Sequence, residues 1–239
     1  MLLTLKNVIL LKLWIILVCF KTRRIMTISY QILCKNEDNS LEKLLKFLTT
    51  HKREIDEINV CRDSLGENPK TLEVVNKFKD QINYFEREIT HTIHNQKNWL
   101  AEQASGDYLF YLDADELLSE PLIQNIPTIL ETNPEVDIYF FPRINIVKGV
   151  TQEYIQQRGW NANEKGWINF PDLQDRLFKH NKGISYREVP HGRLINEGRK
   201  YSALPFEEIY SIIHVKSFEK QTSDNQWHDN KERELGLAK

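Results

Sequence analysis

Ala104-Ser-Gly-Asp-Tyr-Leu-Phe-Tyr-Leu-Asp-Ala-Asp-Glu116 is the stretch from which the rest of the chain is read. The apolar run from Tyr108 to Leu112 follows a Ser-Gly turn signal and ends in Asp113 and Asp115, separated by the small Ala114. A short apolar run bounded in this way predicts a buried strand. Its carboxylates then emerge at the carboxyl end, the edge where open α/β sheets bind ligands. Two carboxylates so spaced can both turn towards a hard divalent cation. Mg²⁺ and Mn²⁺ take oxygen ligands, and substrate phosphates commonly complete their shells. A strand that ends in a solvated acidic turn looks the same, so the neighbouring segments must decide.

Upstream, strands and helices alternate. Thr27 to Cys34 is rich in β-formers and runs into the polar turn Lys35-Asn-Glu-Asp-Asn-Ser40. Ser40 is the expected N-cap of a helix from Leu41 to His51, whose leucines at 41, 44, 45 and 48 recur at helical spacing. Ile55 to Arg62 predicts a second strand that ends at Asp63. Pro69 opens a helix to about Phe78, a short strand follows near Ile82 to Phe85, and 91–104 fits a helix. This alternation predicts an α/β fold with a mixed, mostly parallel sheet flanked by helices. Right-handed crossovers would bring Glu37, Asp63, Asp113 and Asp115 to one crevice.

Downstream the pattern changes. Glu120 to Thr132 reads as a helix, and Asp137 to Val147 as one longer strand, bent or at an edge because Pro142 interrupts it. The segment 156–170, with Trp160 and Trp167, reads as a long functional loop. Leu173 to Lys179, Ile184 to Val189 and Ile209 to Val215 are expected short strands.

Composition narrows the classes. The chain has 239 residues, enough for one substantial core, and a formal net charge of -2, which argues against a nucleic-acid partner. Cys19, Cys34 and Cys61 form no C-x-x-C pair, so reduced thiols in a cytoplasmic setting are expected. Residues 1–25 stand apart. Val8 to Phe20 is apolar but carries Lys12, is shorter than the about 20 residues of a spanning helix, and precedes Lys21-Thr-Arg-Arg24. It is either a dispensable leader or a membrane anchor with a cytosolic basic flank.

With these segments in place, the chain resembles the family 2 glycosyltransferases of the GT-A fold. It is most similar to small bacterial and phage members of the lipopolysaccharide-core type. The resemblance is carried by Ile32-Leu-Cys-Lys-Asn-Glu37, Asp63-Ser64 with Lys70-Thr-Leu-Glu73, and Gln96-Lys-Asn-Trp99. It continues through Ser105 to Glu116, Phe170-Pro-Asp-Leu-Gln-Asp-Arg-Leu-Phe178, Val189-Pro-His191 and His214, in the family's order. Two positions depart from it: Leu65 stands where glycine is usual, and Gly192 follows His191 where glutamate is usual.

The resemblance implies a single GT-A domain over 26–225, with a nucleotide-binding half at 26–116 and an acceptor-binding half at 117–225. A polar tail follows at 226–239. It implies a metal-dependent inverting transferase that uses Mn²⁺ or Mg²⁺, takes a nucleotide-sugar donor (a UDP-sugar first), and acts on a glycan or lipid-linked acceptor. In that reading Asp115 contacts the metal, Asp113 the ribose or the metal shell, and Glu116 shapes the turn. Glu37, Asp63 and Lys97 are donor-binding candidates, beside a turn or capping role for the first two and a solvated surface role for Lys97. Transfer needs a base for the acceptor hydroxyl. Asp172 is expected first and Asp175 second, with Arg176 orienting the carboxylate, contacting phosphate, or merely pairing with Asp172. His191, ahead of His214, is a candidate third metal ligand or diphosphate contact, beside a merely packed histidine; His91 and His94 read as helix-surface residues, and Trp160 and Trp167 offer an acceptor platform or core packing. The rival readings are a non-catalytic carbohydrate-binding or scaffold protein and, less favoured, a nucleotidyltransferase. The latter lacks a Gly-rich phosphate loop after the first strand.

Overall fold

The computed structural model describes residues 25–89, 93–180, 182–187, 194–195 and 197–234. Residues 1–24 of the leader therefore lie outside the described residues, as do His91, Val189, Pro190 and His191. Among those described, no helix is long and apolar enough to cross a membrane.

Strand β1 (Ile28–Cys34) lies inside a seven-stranded sheet, with a neighbour on each side. Its residues are buried almost without a break, as expected of a parallel strand covered on both faces. It pairs in parallel with β2 (Glu57–Asp63) and with β4 (Tyr108–Asp113), and β2 pairs in parallel with β3 (Asn83–Arg87). Helix α1 (Asn39–His51) fills one face with Leu41, Leu44, Leu45 and Leu48, all fully buried. Its cap is Asp38, whose carboxylate accepts from Asn39 N, so the helix starts ahead of the expected Ser40. Helix α2 (Pro69–Phe78) has Pro69 at its start and Asn68 as its cap. Helix α3 (Ile93–Glu102) precedes β4, and α4 (Glu120–Thr132) follows the two-residue strand β5 (Glu116–Leu117).

Beyond β4 the sheet becomes mixed. Strand β8 (Gln174–Lys179) runs antiparallel to β4 and to β6 (Ile138–Phe141), and the short β9 (Tyr201–Ala203) closes the edge beside β6. The expected single strand 137–147 is split at Pro142. Its second half, β7 (Arg143–Lys148), belongs to a separate three-stranded sheet, where it pairs with β10 (Ile212–Ser217); β10 also pairs with β5. Pro142 has no N–H to give a ladder, and its carbonyl accepts from Ile212 N as the chain changes sheet.

Other expectations shift as well. The 156–170 loop is partly ordered by helix α5 (Gln152–Gln157) and by bridges from Ile168 to Asn145 and Ala162. Of the expected 184–189 strand, the described residues 184–187 carry a single bridge, Tyr186 to Leu194. The expected polar tail is helical through Glu234, as part of α6 (Phe218–Glu234). No apolar face explains this helix. Phe218 packs at its start, while Arg158 to Asp229 and Asn225 to Tyr154 hold it to the domain.

Candidate active site

The parallel strands deliver their carboxyl ends to one edge, as the alternation predicts. Glu37 and Asp115, from the turns after β1 and β4, are spanned by Lys220 of α6, with Nζ 3.9 Å from Glu37 Oε1 and 2.9 Å from Asp115 Oδ2. A cavity of about 650 Å³ opens beside them, and Lys97, Asp113, Asp172, Asp175, Arg176 and His214 all line it. Three further expected residues, Glu37, Asp63 and Asp115, stand outside that wall.

Glu116 organises the wall. It is fully buried at the start of β5, and its carboxylate accepts from Asp113 N (3.0 Å), Arg143 Nη1 (3.0 Å) and Arg176 Nη2 (2.6 Å). A buried carboxylate needs such partners, because an unpaired one would cost several kcal/mol. Arg176 is aimed by a β-bulge. Tyr139 pairs with Leu177 and Phe140 with Asp175, so Arg176 is the extra residue of β8. Its guanidinium grips Asp113 Oδ2 at 2.5 Å. Burial would raise the Asp113 carboxyl, but Arg176, then Lys97 and Arg143, hold it well below the usual carboxylate range.

The expected pairing of Arg176 with Asp172 is absent. Asp172 pairs instead with Arg143, through Nε at 2.9 Å and Nη2 at 2.8 Å to Oδ2, while Asn145 Nδ2 reaches the same oxygen at 2.7 Å. Gln174 Nε2 donates to Asp172 Oδ1 at 2.9 Å. Burial opposes ionisation here, and Arg143 with these amides outweighs it, so the Asp172 carboxyl is lowered. Asp175 carries a lighter load, its Oδ2 accepting from Leu194 N.

Asp115 faces an imidazole and two ammonium groups: His214 Nε2 lies 3.4 Å away, Lys216 Nζ 3.8 Å and Lys220 Nζ 2.9 Å. Against the opposing effect of burial, His214 and then the two lysines keep its carboxyl well below the usual range. Lys97 is not a solvated surface lysine. Its ammonium sits 4.6 Å over the Tyr186 ring, and burial lowers its pKa against the pull of Asp113. Glu37 accepts from Lys35 N and Asn36 N, which makes it a turn former. Asp63 is buried; its Oδ1 accepts from Leu65 N and Ile89 N, and its Oδ2 meets Lys35 at 3.1 Å. Trp160 lines the cavity, while Trp167 packs on Phe170 away from it. His94, expected at a helix surface, is buried.

Arg143, Asn145, Lys216, Lys220 and the cavity-lining Trp227 were not expected. The only local hint was the alternation Arg143-x-Asn145, which puts both side chains on one face of a strand.

Among the described residues, no group of three His, Cys, Asp or Glu side chains converges on a metal position. The donor set still suits a cation completed by phosphate oxygens. Asp115 offers a carboxylate beside an imidazole nitrogen, and its Oδ2 already faces the Lys220 ammonium.

The model of the family described as glycosyl transferase family 2 matches residues 29–193, more than half of the chain. No curated protein sequence matches. Among solved structures, a fragment of TarS from S. aureus, residues 1–349, determined with UDP-GlcNAc, is 14% identical with a TM-score of 0.54. The match covers 80% of this chain and 59% of that one. The mannosyltransferase PcManGT from Pyrobaculum calidifontis, determined with GDP-Man and Mn²⁺, is 15% identical with a TM-score of 0.50, over 87% of this chain and 64% of that one. The chain thus spans about three fifths of the length of these structures, and at such identity the likeness is one of fold.

Proposed function

Because the chain belongs to glycosyl transferase family 2, we propose that it moves a sugar from a nucleotide diphosphate donor to a hydroxyl group of a glycan or lipid-linked acceptor, with inversion at the anomeric carbon. A UDP-sugar is the first donor to test. The reading is carried by one observation: Lys97, Asp113, Asp172, Asp175 and Arg176 meet in a single cavity at the carboxyl edge of the sheet.

Direct displacement needs a base on the acceptor side and charge stabilisation on the leaving side. Asp172 suits the first task. Arg143 and Asn145 fix its Oδ2, while Oδ1 carries the Gln174 amide and keeps a lone pair. The acceptor proton passes to Oδ1 as the acceptor oxygen bonds to the sugar carbon. The bond from that carbon to the phosphate oxygen breaks, and nucleoside diphosphate leaves. Asp175 is the second reading, favoured by its less burdened carboxylate.

On the leaving side, Asp115 with His214 would hold Mn²⁺ or Mg²⁺. Such an ion, when bound, stabilises the departing diphosphate as a Lewis acid. Lys216 and Lys220 add ammonium charge at the same place, and Lys97 adds it from within the cavity. Asp63 serves the nucleotide through the loop it shapes, since its oxygens are already engaged. The apolar leader with its basic flank supports a position at the cytosolic face of a membrane, where a lipid-linked acceptor is within reach.

The test is the melting temperature of the full-length protein against nucleotides and nucleotide sugars, with and without Mn²⁺. A ligand at a hundredfold excess over Kd adds about 2.7 kcal/mol. A Mn²⁺-dependent rise with one nucleotide, lost in Asp115→Ala, is expected; no rise with any nucleotide overturns the reading. With a donor in hand, Asp172→Asn should lower kcat at least about a hundredfold. The larger loss in Asp175→Asn instead would transfer the base role to Asp175.

A further inference from the structure

The small sheet sets Asn145 of β7 directly opposite His214 of β10. Asn145 Nδ2 donates to Asp172 Oδ2 at 2.7 Å, and Asn145 Oδ1 lies 2.9 Å from His214 Nδ1. This amide has only one sensible orientation. An ionised carboxylate is acceptor-only, and the Asp172 carboxyl is lowered, so the NH₂ group must face Asp172. The amide oxygen therefore faces the imidazole, and an oxygen can only accept. His214 must carry a proton on Nδ1, with Nε2 as the ring nitrogen turned to Asp115 Oδ1, 3.4 Å away.

We propose that Asn145 is a positioning residue that acts on both sides of the reaction through one amide. It orients Asp172 on the acceptor side, and it fixes the tautomer and ring direction of His214 on the donor side. The roles of those two groups rest on the transferase reading above; the hydrogen-bond logic does not. Arg143, two residues earlier, bears on Asp172 and Glu116. Asn145 joins Asp172 to His214, the neighbour of Asp115. Partners that orient metal-ligating histidines typically change metal affinity or activity 10- to 100-fold when removed, and this sets the scale of effect expected here.

Two substitutions separate the two jobs. Asn145→Asp keeps an oxygen for His214 Nδ1–H but removes the N–H given to Asp172. Asn145→Leu removes both. Nitrogen-15 spectra of the histidine rings read the tautomer directly, and Mn²⁺ affinity by electron paramagnetic resonance reads the donor side without turnover. Wild type and Asn145→Asp should show His214 protonated on Nδ1, a signature lost in Asn145→Leu. Mn²⁺ affinity should fall about tenfold in the Leu variant and stay within about threefold in the Asp variant, whereas kcat should fall about tenfold or more in both. A wild-type His214 protonated on Nε2 alone overturns the proposal whether or not any variant folds. So does a folded Asn145→Leu protein with unchanged His214 signals and Mn²⁺ affinity. Failure of the wild type to bind or turn over any nucleotide sugar would instead remove the transferase reading, and the spectra would still decide the tautomer.

Discussion

A β-carbon on Gly106 would stand 2.5 Å from Ser29 Oγ and 2.7 Å from Ser29 N, so the chain entering β4 can lie this close to β1 only at a glycine. Gly106 N also donates to Ser29 Oγ. Gly106→Ala is expected to destabilise the protein by about 1–3 kcal/mol, the usual cost of overpacking, and urea unfolding would measure it. At this scale Asp113, Asp115, Asp172 and Arg176 were legible, because each belongs to a segment whose residue types suit charge chemistry. Their partners were not. Arg176 was expected beside Asp172 and instead grips Asp113 and Glu116, since a bulge in β8 turns it. Arg143 and Asn145, which do hold Asp172, sit in a run that reads as ordinary strand.

Among the elements, α2 shows how local chemistry sets a boundary. Pro69 begins it, and Asn68 caps it by accepting from Lys70 N, while the Asn68 amide and backbone N–H both bond to Asn36 in the turn after β1. Asn68→Ala should cost about 1 kcal/mol from the cap alone. Hydrogen exchange should also quicken in the 63–68 loop, because the tie to Asn36 is lost. An unchanged urea midpoint would show that the cap contributes nothing. The start and end of α2 and α4 were readable from proline and periodicity. By contrast, the split of 138–148 between two sheets was not. Pro142 signalled a break, but local sequence holds nothing to say that the second half would leave for another sheet. Strand β9 is three residues long and exposes Tyr201, so it offers no alternation to read.

The whole molecule carries a set of carboxylates whose acidity is raised by folding. Against burial, Asp113 and Asp172 are lowered by neighbouring cations, Asp115 by His214 and then Lys216 and Lys220, and Glu57 by hydrogen bonds from Ser105, Ser29 and Asn59. A folded pKa below the unfolded value means that the stabilisation is complete above the unfolded value, about 4, and is lost as pH falls through the folded values. Urea unfolding should therefore give a plateau above about pH 5 and a decline below about pH 4. Replacing Asp115 by Asn should shallow that decline; an equally steep one would show that Asp115 contributes little to it. The order of elements from β1 to β4, the α/β class, the strand ends that bear carboxylates and the family were set by the sequence alone, because periodicity, caps and motif order act over a few residues. The pairings Arg143 with Asp172, Arg176 with Glu116, Asn145 with His214 and Lys220 with Asp115 were decided only by the tertiary structure. Each joins residues tens of positions apart, and which charge meets which depends on strand order, register and one bulge, none of which leaves a local trace.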